Sequence, residues 1–353
     1  MREELVEHLR CPRTGAPLRL EVAEREGAEI LGGWLVSEGG ERYPIRGGLP
    51  RFVADEELTP DQAQTIRTFS WKWAEIPDYA EEPGPREHRE AWWHERYGFD
   101  RGGEALRAFL SPRARILEAG VGQGVDTARF LRASQATIFG VDLAEVVDIA
   151  RGRFRGEPRV HIAQADLGAL PFPPAWFDLI SCDQVLHHTP DPPAWFQRLV
   201  RHLAPGGHVL LYVYRRKGPL REFADDHLRQ LCVDAPNEQV MDLCRRLARL
   251  GRSLAGLQAM VEVEDDLPEL GITRGRYDVQ RLVYDHMVKC FWNEDYSFET
   301  NAKVGYDWYR PRHAFRYAPE QVREWCQAAG LVLEREHLAP SGITVIARRP
   351  LAP

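Results

Sequence analysis

Glu118, Gly120, Gly122 and Gly124 occupy every second position of one stretch, and Asp142 lies 22 residues past Gly120. Glycines at this spacing let a backbone approach a ligand closely. A carboxylate about 20 residues further on is where an α/β nucleotide fold accepts ribose hydroxyls. Each such hydrogen bond to a charged acceptor contributes roughly 1.5–3 kcal/mol. Asp166 with Leu167, and Asp183 followed by His187 and His188, come later at the ends of apolar runs. An imidazole titrates near neutrality, so either histidine is a candidate general base. Adjacent side chains usually point different ways, which leaves one of the two for a structural role.

The elements that must hold these residues alternate. Residues 115–117 form a short apolar run after the break at Pro112, and 125–131 read as the helix that follows the glycine turn. Residues 136–142, 160–164, 177–183 and 206–214 read as four further strands, with helical stretches at 146–154 and 193–203 between them. This alternation predicts an α/β class with a doubly wound, Rossmann-like parallel sheet. Residues 318–330 carry a proline near the first turn and Gly330 past the last, which predicts a helix. Residues 331–338 and 343–348 then read as a closing hairpin.

Composition bounds the function. The chain has 353 residues, 44% of them hydrophobic and 28% charged, enough for a full core and a second small domain or a large insertion. A net charge of -7 makes a nucleic-acid partner unlikely, because that binding needs a basic face. No stretch reads as a signal peptide or a bilayer span, so a cytoplasmic location is expected. The six cysteines have no paired spacing and are expected as free thiols. Lysine occurs only at Lys72, Lys217, Lys289 and Lys303, a scarcity that reads as coding bias.

A dinucleotide fingerprint would put glycine at 125, where Val125 stands, and the lysine of a phosphate-binding loop is missing. The ordered set is Glu118-x-Gly120-x-Gly122-x-Gly124, Asp142, Asp166-Leu167, residues 177–188 and the Pro205-Gly206-Gly207 turn before the fifth strand. It resembles the class I S-adenosylmethionine-dependent methyltransferases over residues 111–215, and again at the carboxyl end. The resemblance implies a seven-stranded sheet in the order 3-2-1-4-5-7-6. It also implies that the loop from Glu118 to Gly124 holds the methionine part of the cofactor, Asp142 with Leu143 the ribose, Asp166 with Leu167 the adenine, and that Asp183 lies beside the methyl group. The run Asp183-Gln-Val-Leu lacks the Pro-Pro-aromatic pattern of amide and exocyclic-amine methyltransferases. It resembles instead the small-molecule enzymes of the quinone-biosynthesis type.

Residues 1–54 read as a small β-rich domain. Residues 9–18 and 43–50 resemble the zinc-ribbon-type activator of some tRNA and protein methyltransferases. Where that family has CxxC, this chain has Cys11 followed by Thr14, and no cysteine occurs between residues 36 and 40. A four-thiolate site cannot be built from that set, so no metal is expected. Residues 55–110 form an aromatic-rich helical connector, in which residues 77–85 are expected as loop.

Residues 216–317 interrupt the fold after the fifth strand, where the resemblance implies a substrate lid, largely helical. One long amphipathic helix is expected there, with Val240, Leu243, Leu247, Leu250, Leu254 and Leu257 near one face. The mixed polar and aromatic residues of 277–310 suit either a buried pocket or an interface. From these and the end of the fifth strand, Tyr214, Tyr284, Trp292, Asn293, Tyr309 and Arg310 are the candidate substrate contacts, with Arg221 on a second rim. The expected partner is a small polar or aromatic metabolite, with a homodimer left open. Other uses of the same cofactor stay open too, namely aminocarboxypropyl transfer or cyclisation, as do a tRNA or protein substrate and a binding role without turnover.

Overall fold

The structure, a computed structural model, describes residues 1–53, 58–75 and 83–351. Four antiparallel strands come first: β1 (Leu18–Glu26), β2 (Glu29–Ser37), β3 (Arg42–Arg46) and β4 (Leu49–Pro50). Ile30, Leu35 and Ile45 of this sheet, with Leu5, Leu9 and Phe52 flanking it, share one buried cluster with Phe139 and Phe177 of the main sheet and with Phe172, in the segment before the Phe177 strand. The Phe52 amide donates to the Gln164 carbonyl at 2.8 Å, so the chain leaves the small sheet paired to the edge of the large one.

Three helices follow: α1 (Pro60–Glu75), α2 (Pro83–Tyr97) and α3 (Glu104–Leu110). Residues 77–82 of the expected loop lie outside the described residues. Pro83, Gly84 and Pro85 are not loop but the first turn of α2. First-turn amides have no partner inside a helix, so proline costs nothing there.

The main body runs β5 (Arg115–Ala119), α4 (Val125–Ala133), β6 (Thr137–Asp142), α5 (Val147–Arg153), β7 (Val160–Gln164), β8 (Phe177–Asp183), α6 (Pro192–Val200) and β9 (Leu203–Tyr214). The insertion then supplies α7 (Pro219–Cys232), α8 (Asn237–Ala255), a small antiparallel pair β10 (Met260–Val263) and β11 (Gly275–Asp278), α9 (Val279–His286) and α10 (Phe298–Tyr309). The chain ends with α11 (Pro319–Ala328), β12 (Val332–Leu338) and β13 (Gly342–Arg348). The seven strands lie in the order β7-β6-β5-β8-β9-β13-β12. This is the expected 3-2-1-4-5-7-6. The first five strands are parallel and β13 pairs antiparallel to β9, closing one edge. Carboxyl ends of parallel strands therefore converge on one side, where a ligand crevice forms.

The expected stripe of α8 is found in part: Val240 is buried, and Leu243 and Leu247 pack half-buried against the same cluster. The fully buried face adds Met241, Cys244, Ala248 and Gly251 to Val240, while Leu250 and Leu257 are exposed. Backbone proximity explains the added small residues. A Cβ on Gly251 would stand 2.3 Å from the Cys290 carbonyl oxygen, and one on Gly305 in α10 would stand 3.2 Å from the Cys244 sulfur. Small residues let these segments meet, and leucine at those positions would hold them apart. Among the described residues, no helix is long and apolar enough to cross a membrane.

Candidate active site

One cavity of about 700 Å³ opens at the carboxyl ends of the parallel strands, roofed by α1, α2 and the insertion. The glycine turn forms one wall. Gly120, Gly122 and Gly124 all have left-handed backbone, with φ of 89°, 50° and 80°. Their roles separate when a Cβ is imagined on each. On Gly120 it would stand 2.2 Å from Val185, and on Gly124 2.4 Å from Phe154, so those two are required by packing. On Gly122 it would meet nothing nearer than Trp73 at 4.0 Å, and Gly122 borders the cavity. Gly120 borders the cavity as well, but of the three only Gly122 combines that position with open space where a Cβ would sit.

Asp142 ends β6 beside this turn. Its carboxylate accepts from the Gly122 amide at 3.0 Å and from the Ala144 amide at 3.0 Å. Burial raises its pKa, and the backbone donors oppose that shift. Each oxygen keeps a further lone pair for a ligand. Leu143 and Leu167 also border the cavity. Asp166 is more heavily engaged. One oxygen accepts from the Gly168 amide and the Trp195 indole, both at 2.7 Å, and the other from the Gln62 side chain at 3.3 Å. These donors fix the carboxylate and leave its second oxygen room for one more.

A set of buried charges lies below the turn. Thr127 donates to Glu118, whose carboxyl is pushed well above its usual range, by burial first and by neighbouring Asp126 second. Arg129 bridges Asp126 and Glu90, the latter at 3.0 Å. Asp183, at the end of β8, receives two hydrogen bonds from Arg96 at 3.2 and 2.9 Å. Glu118, Asp126 and Asp183 all border the cavity. Arg129 and Arg96 take up the latter two, and Glu118 is left without an ion-pair partner among the described residues, so a cationic group here would meet an unpaired carboxyl.

The two histidines separate. His188 borders the cavity, and its Nδ1–H donates to the His313 carbonyl at 2.6 Å, which leaves Nε2 as the acceptor. Burial pushes its pKa down to about 3. His187 is fully buried, stacks on Tyr214 at 3.7 Å, and does not border the cavity.

The substrate candidates separate too. Tyr214 and Tyr284 border the cavity; Trp292, Asn293, Tyr309 and Arg310 do not. Trp292 packs towards Phe298, and Asn293 is tied to Asn301 at 2.7 Å. Tyr309 donates to Asp225 at 3.0 Å, and Arg310 donates to Asn237 at 3.2 Å. Each of those four supports the insertion from behind. Residues that no local signal pointed to include Arg96, Lys72, which is paired to Asp307, and Lys217. Arg221 is present on the rim, held by Asp225 at 2.9 Å.

The family model described as a methyltransferase domain matches residues 91–336. The 27-O-demethylrifamycin SV methyltransferase of Amycolatopsis mediterranei is 31% identical over 176 residues, covering 48% of this chain and 58% of that protein. A ubiquinone/menaquinone biosynthesis C-methyltransferase of Vibrio campbellii is 30% identical over 111 residues, covering 30% and 43%. The chain spans about half the length of the curated relatives it matches, 52% and 58% for the first two. Among solved structures, the 1,6-didemethyltoxoflavin-N1-methyltransferase of Burkholderia thailandensis is 16% identical with a TM-score of 0.44, over 93% of this chain and 100% of that one. On the match over residues 91–336, the chain belongs to the methyltransferase domain family, whose cofactor is S-adenosylmethionine.

Proposed function

We propose that this protein transfers a methyl group from S-adenosylmethionine to a small aromatic or polar metabolite bound against the insertion. One observation carries the reading. A single cavity joins the wall of Gly122, Asp142 and Asp166 to an aromatic wall of Tyr214, Tyr284 and Trp308. The residues present fit the cofactor: Gly122 has open space where a Cβ would sit, Asp142 has free lone pairs, and the buried Glu118 carboxyl, pushed up by burial and Asp126, would gain a cation in the ammonium. Asp142 with Leu143 would hold the ribose and Asp166 with Leu167 the adenine. Glu118 and the glycine turn would hold the methionine part, with Asp183 nearby.

When bound, the cofactor supplies a methyl group on a sulfonium, open to in-line displacement. The chain's own residues orient and enclose. Positioning the acceptor about 3–3.5 Å from the carbon supplies much of the acceleration. Tyr214, Tyr284 and Trp308 present flat faces that fix the acceptor's plane. His188, with a pKa near 3, is a weak proton acceptor at neutral pH, so its role here is to accept a hydrogen bond at Nε2. The domain organisation that goes with this reading is an activator-like module over residues 1–54, a connector over 55–110, a cofactor core over 111–215, a lid over 216–317 and a closing unit over 318–353. Because the module shares a buried cluster with the sheet, we read it as a scaffold.

Calorimetric titration with S-adenosylhomocysteine tests the cofactor site. Wild type is expected to bind, and Asp142→Ala to lose at least about tenfold in affinity, the loss of one or two charge-assisted hydrogen bonds. No binding by wild type would sink the reading. In turnover, S-adenosylhomocysteine as product supports methyl transfer, whereas methylthioadenosine would point to use of the aminocarboxypropyl chain.

A further inference from the structure

Three cations converge on one indole in the cavity wall. The Lys289 ammonium lies 4.8 Å from the Trp308 ring centroid, the Lys217 ammonium 5.6 Å, and the Arg221 guanidinium 5.7 Å. All three side chains border the cavity, with Tyr214 and Tyr284 completing the wall. Asp225 takes up Arg221 in a fully buried pair. Among the described residues neither Lys217 nor Lys289 forms an ion pair. The Lys289 side chain, 8% exposed, has only the Tyr284 hydroxyl at 3.4 Å as a polar partner.

Such an arrangement carries a cost that the fold alone does not offset. Like charges at short range repel, and burial removes the water that would screen them. Burial, with Arg221 and Lys289 alongside, pushes the Lys217 ammonium down to about 7, against the weaker opposing pull of Asp285 and Asp225. Asp285 also borders the cavity, but among the described residues it forms no ion pair with Lys217, and Asp225 is taken up by Arg221. A cation perturbed in a cleft without a carboxylate paired to it marks a place prepared for an anion. Composition sharpens the point. Only four of the chain's 46 Lys and Arg residues are lysine, and three of those four, Lys72, Lys217 and Lys289, border this cavity.

We propose that the acceptor is a small organic acid with a flat, unsaturated body, its carboxylate or phosphate seated between Lys217 and Lys289 and its body lying against Trp308 and Tyr284. An ammonium pair suits a small anion of either geometry, since each ammonium rotates its three donors freely. The flat body follows from the rings, which offer faces rather than a round apolar pocket. Arg221 stays with Asp225 and holds the wall in place. This names the substrate class of the site proposed above, and rests on that reading only for the identity of the reaction.

Binding of probe acids, followed by calorimetry and thermal shift in the presence of saturating S-adenosylhomocysteine, tests it. Benzoate, cinnamate and phenyl phosphate are compared with benzamide, cinnamamide and benzyl alcohol. The expected result is that at least one acid binds at least about tenfold more tightly than its neutral counterpart, the scale of one charge-assisted contact. Whichever acid binds best assigns the group as carboxylate or phosphate. In Lys217→Met/Lys289→Met that preference is expected to disappear while S-adenosylhomocysteine affinity stays at the wild-type value. Lys289→Arg, which keeps the charge, is expected to retain the preference and guards against misfolding of the double variant. Acids that bind no better than neutral probes overturn the proposal, as does a folded double variant with the wild-type preference. Failure of S-adenosylhomocysteine to bind would instead strike the methyltransferase reading, and the acid preference is then measured without it.

Discussion

Arg96 and Asp183, 87 residues apart in sequence, form a two-pronged ion pair at 3.2 and 2.9 Å with side chains 1% and 7% exposed. The guanidinium also lies over Trp92 at 3.7 Å and Tyr212 at 4.6 Å. The pair therefore ties α2 to the end of β8 beside the cavity. Removing the cation leaves a buried carboxylate without a partner. Arg96→Met is expected to lower unfolding free energy by about 3–5 kcal/mol, whereas Arg96→Met/Asp183→Leu recovers most of the loss. Urea unfolding of the wild type and the two variants checks this, and equal stability of the single and double variants contradicts it.

The three glycines of the turn make a sharper comparison. Alanine at Gly120 adds overpacking against Val185 to the strain of a left-handed backbone, and the overpacking alone costs about 1–3 kcal/mol. Alanine at Gly122 incurs the backbone strain, about 1–2 kcal/mol, without a clash. Its methyl instead occupies space from which a ligand reaches the chain. Gly120→Ala is thus expected to be the less stable protein, and Gly122→Ala the one that stays folded with weakened S-adenosylhomocysteine binding. Unfolding curves and calorimetry on both decide it; a Gly122→Ala protein with wild-type affinity removes that glycine from the cofactor site.

Much of the framework was legible because it follows from local rules. Alternating strands and helices, and glycines spaced with Asp142, are patterns within short windows, and the strand order expected from the resemblance is the one observed. The site's charged residues were harder to see. Arg96 sits in an aromatic helix whose sequence says nothing of a partner in β8. The scarcity of lysine read as coding bias, yet three of the four lysines border one cavity. Hydrophobicity alone also showed only part of the buried face of α8: Val240, Leu243 and Leu247 face the cluster, but the closest backbone approach falls at Gly251. Trp292 and Tyr309 have the composition of pocket residues and serve as support behind it. What these cases share is dependence on a partner distant in sequence.

The buried histidines set a pH dependence of stability. Burial lowers the pKa of His187 well below 6.5 and that of His188 to about 3. Below pH 6.5 the unfolded chain binds protons that the folded chain refuses. Stability from these rings is therefore complete above pH 6.5 and drains as pH falls towards 3, by up to about 1.4 kcal/mol per pH unit for each ring. His188→Asn keeps a donor to the His313 carbonyl without a titrating ring. Its stability is expected to fall less steeply than that of wild type between pH 6 and pH 4; parallel slopes in urea midpoints would show that His188 is charged in the folded state.

The amino-terminal sheet gives the last test, because its place in the core decides whether it is a separable module. Leu9 is fully buried and belongs to the cluster that includes Phe139 and Phe177 of the main sheet. The Arg10 amide donates to the Pro171 carbonyl at 2.9 Å, and Arg51 donates to Gln164 at 2.8 Å and to Asp148 at 2.7 Å. Two sheets that share one apolar cluster and a backbone connection unfold together when neither can keep its own surface dry. Leu9→Ala removes buried methyl groups and leaves a cavity, at a cost of about 2–5 kcal/mol. If the cluster is common, the whole unfolding curve, followed by both tryptophan fluorescence and far-ultraviolet circular dichroism, moves to lower urea as one transition. A variant in which an early, partial transition splits away while the main one keeps its wild-type midpoint shows instead that residues 1–53 fold on their own.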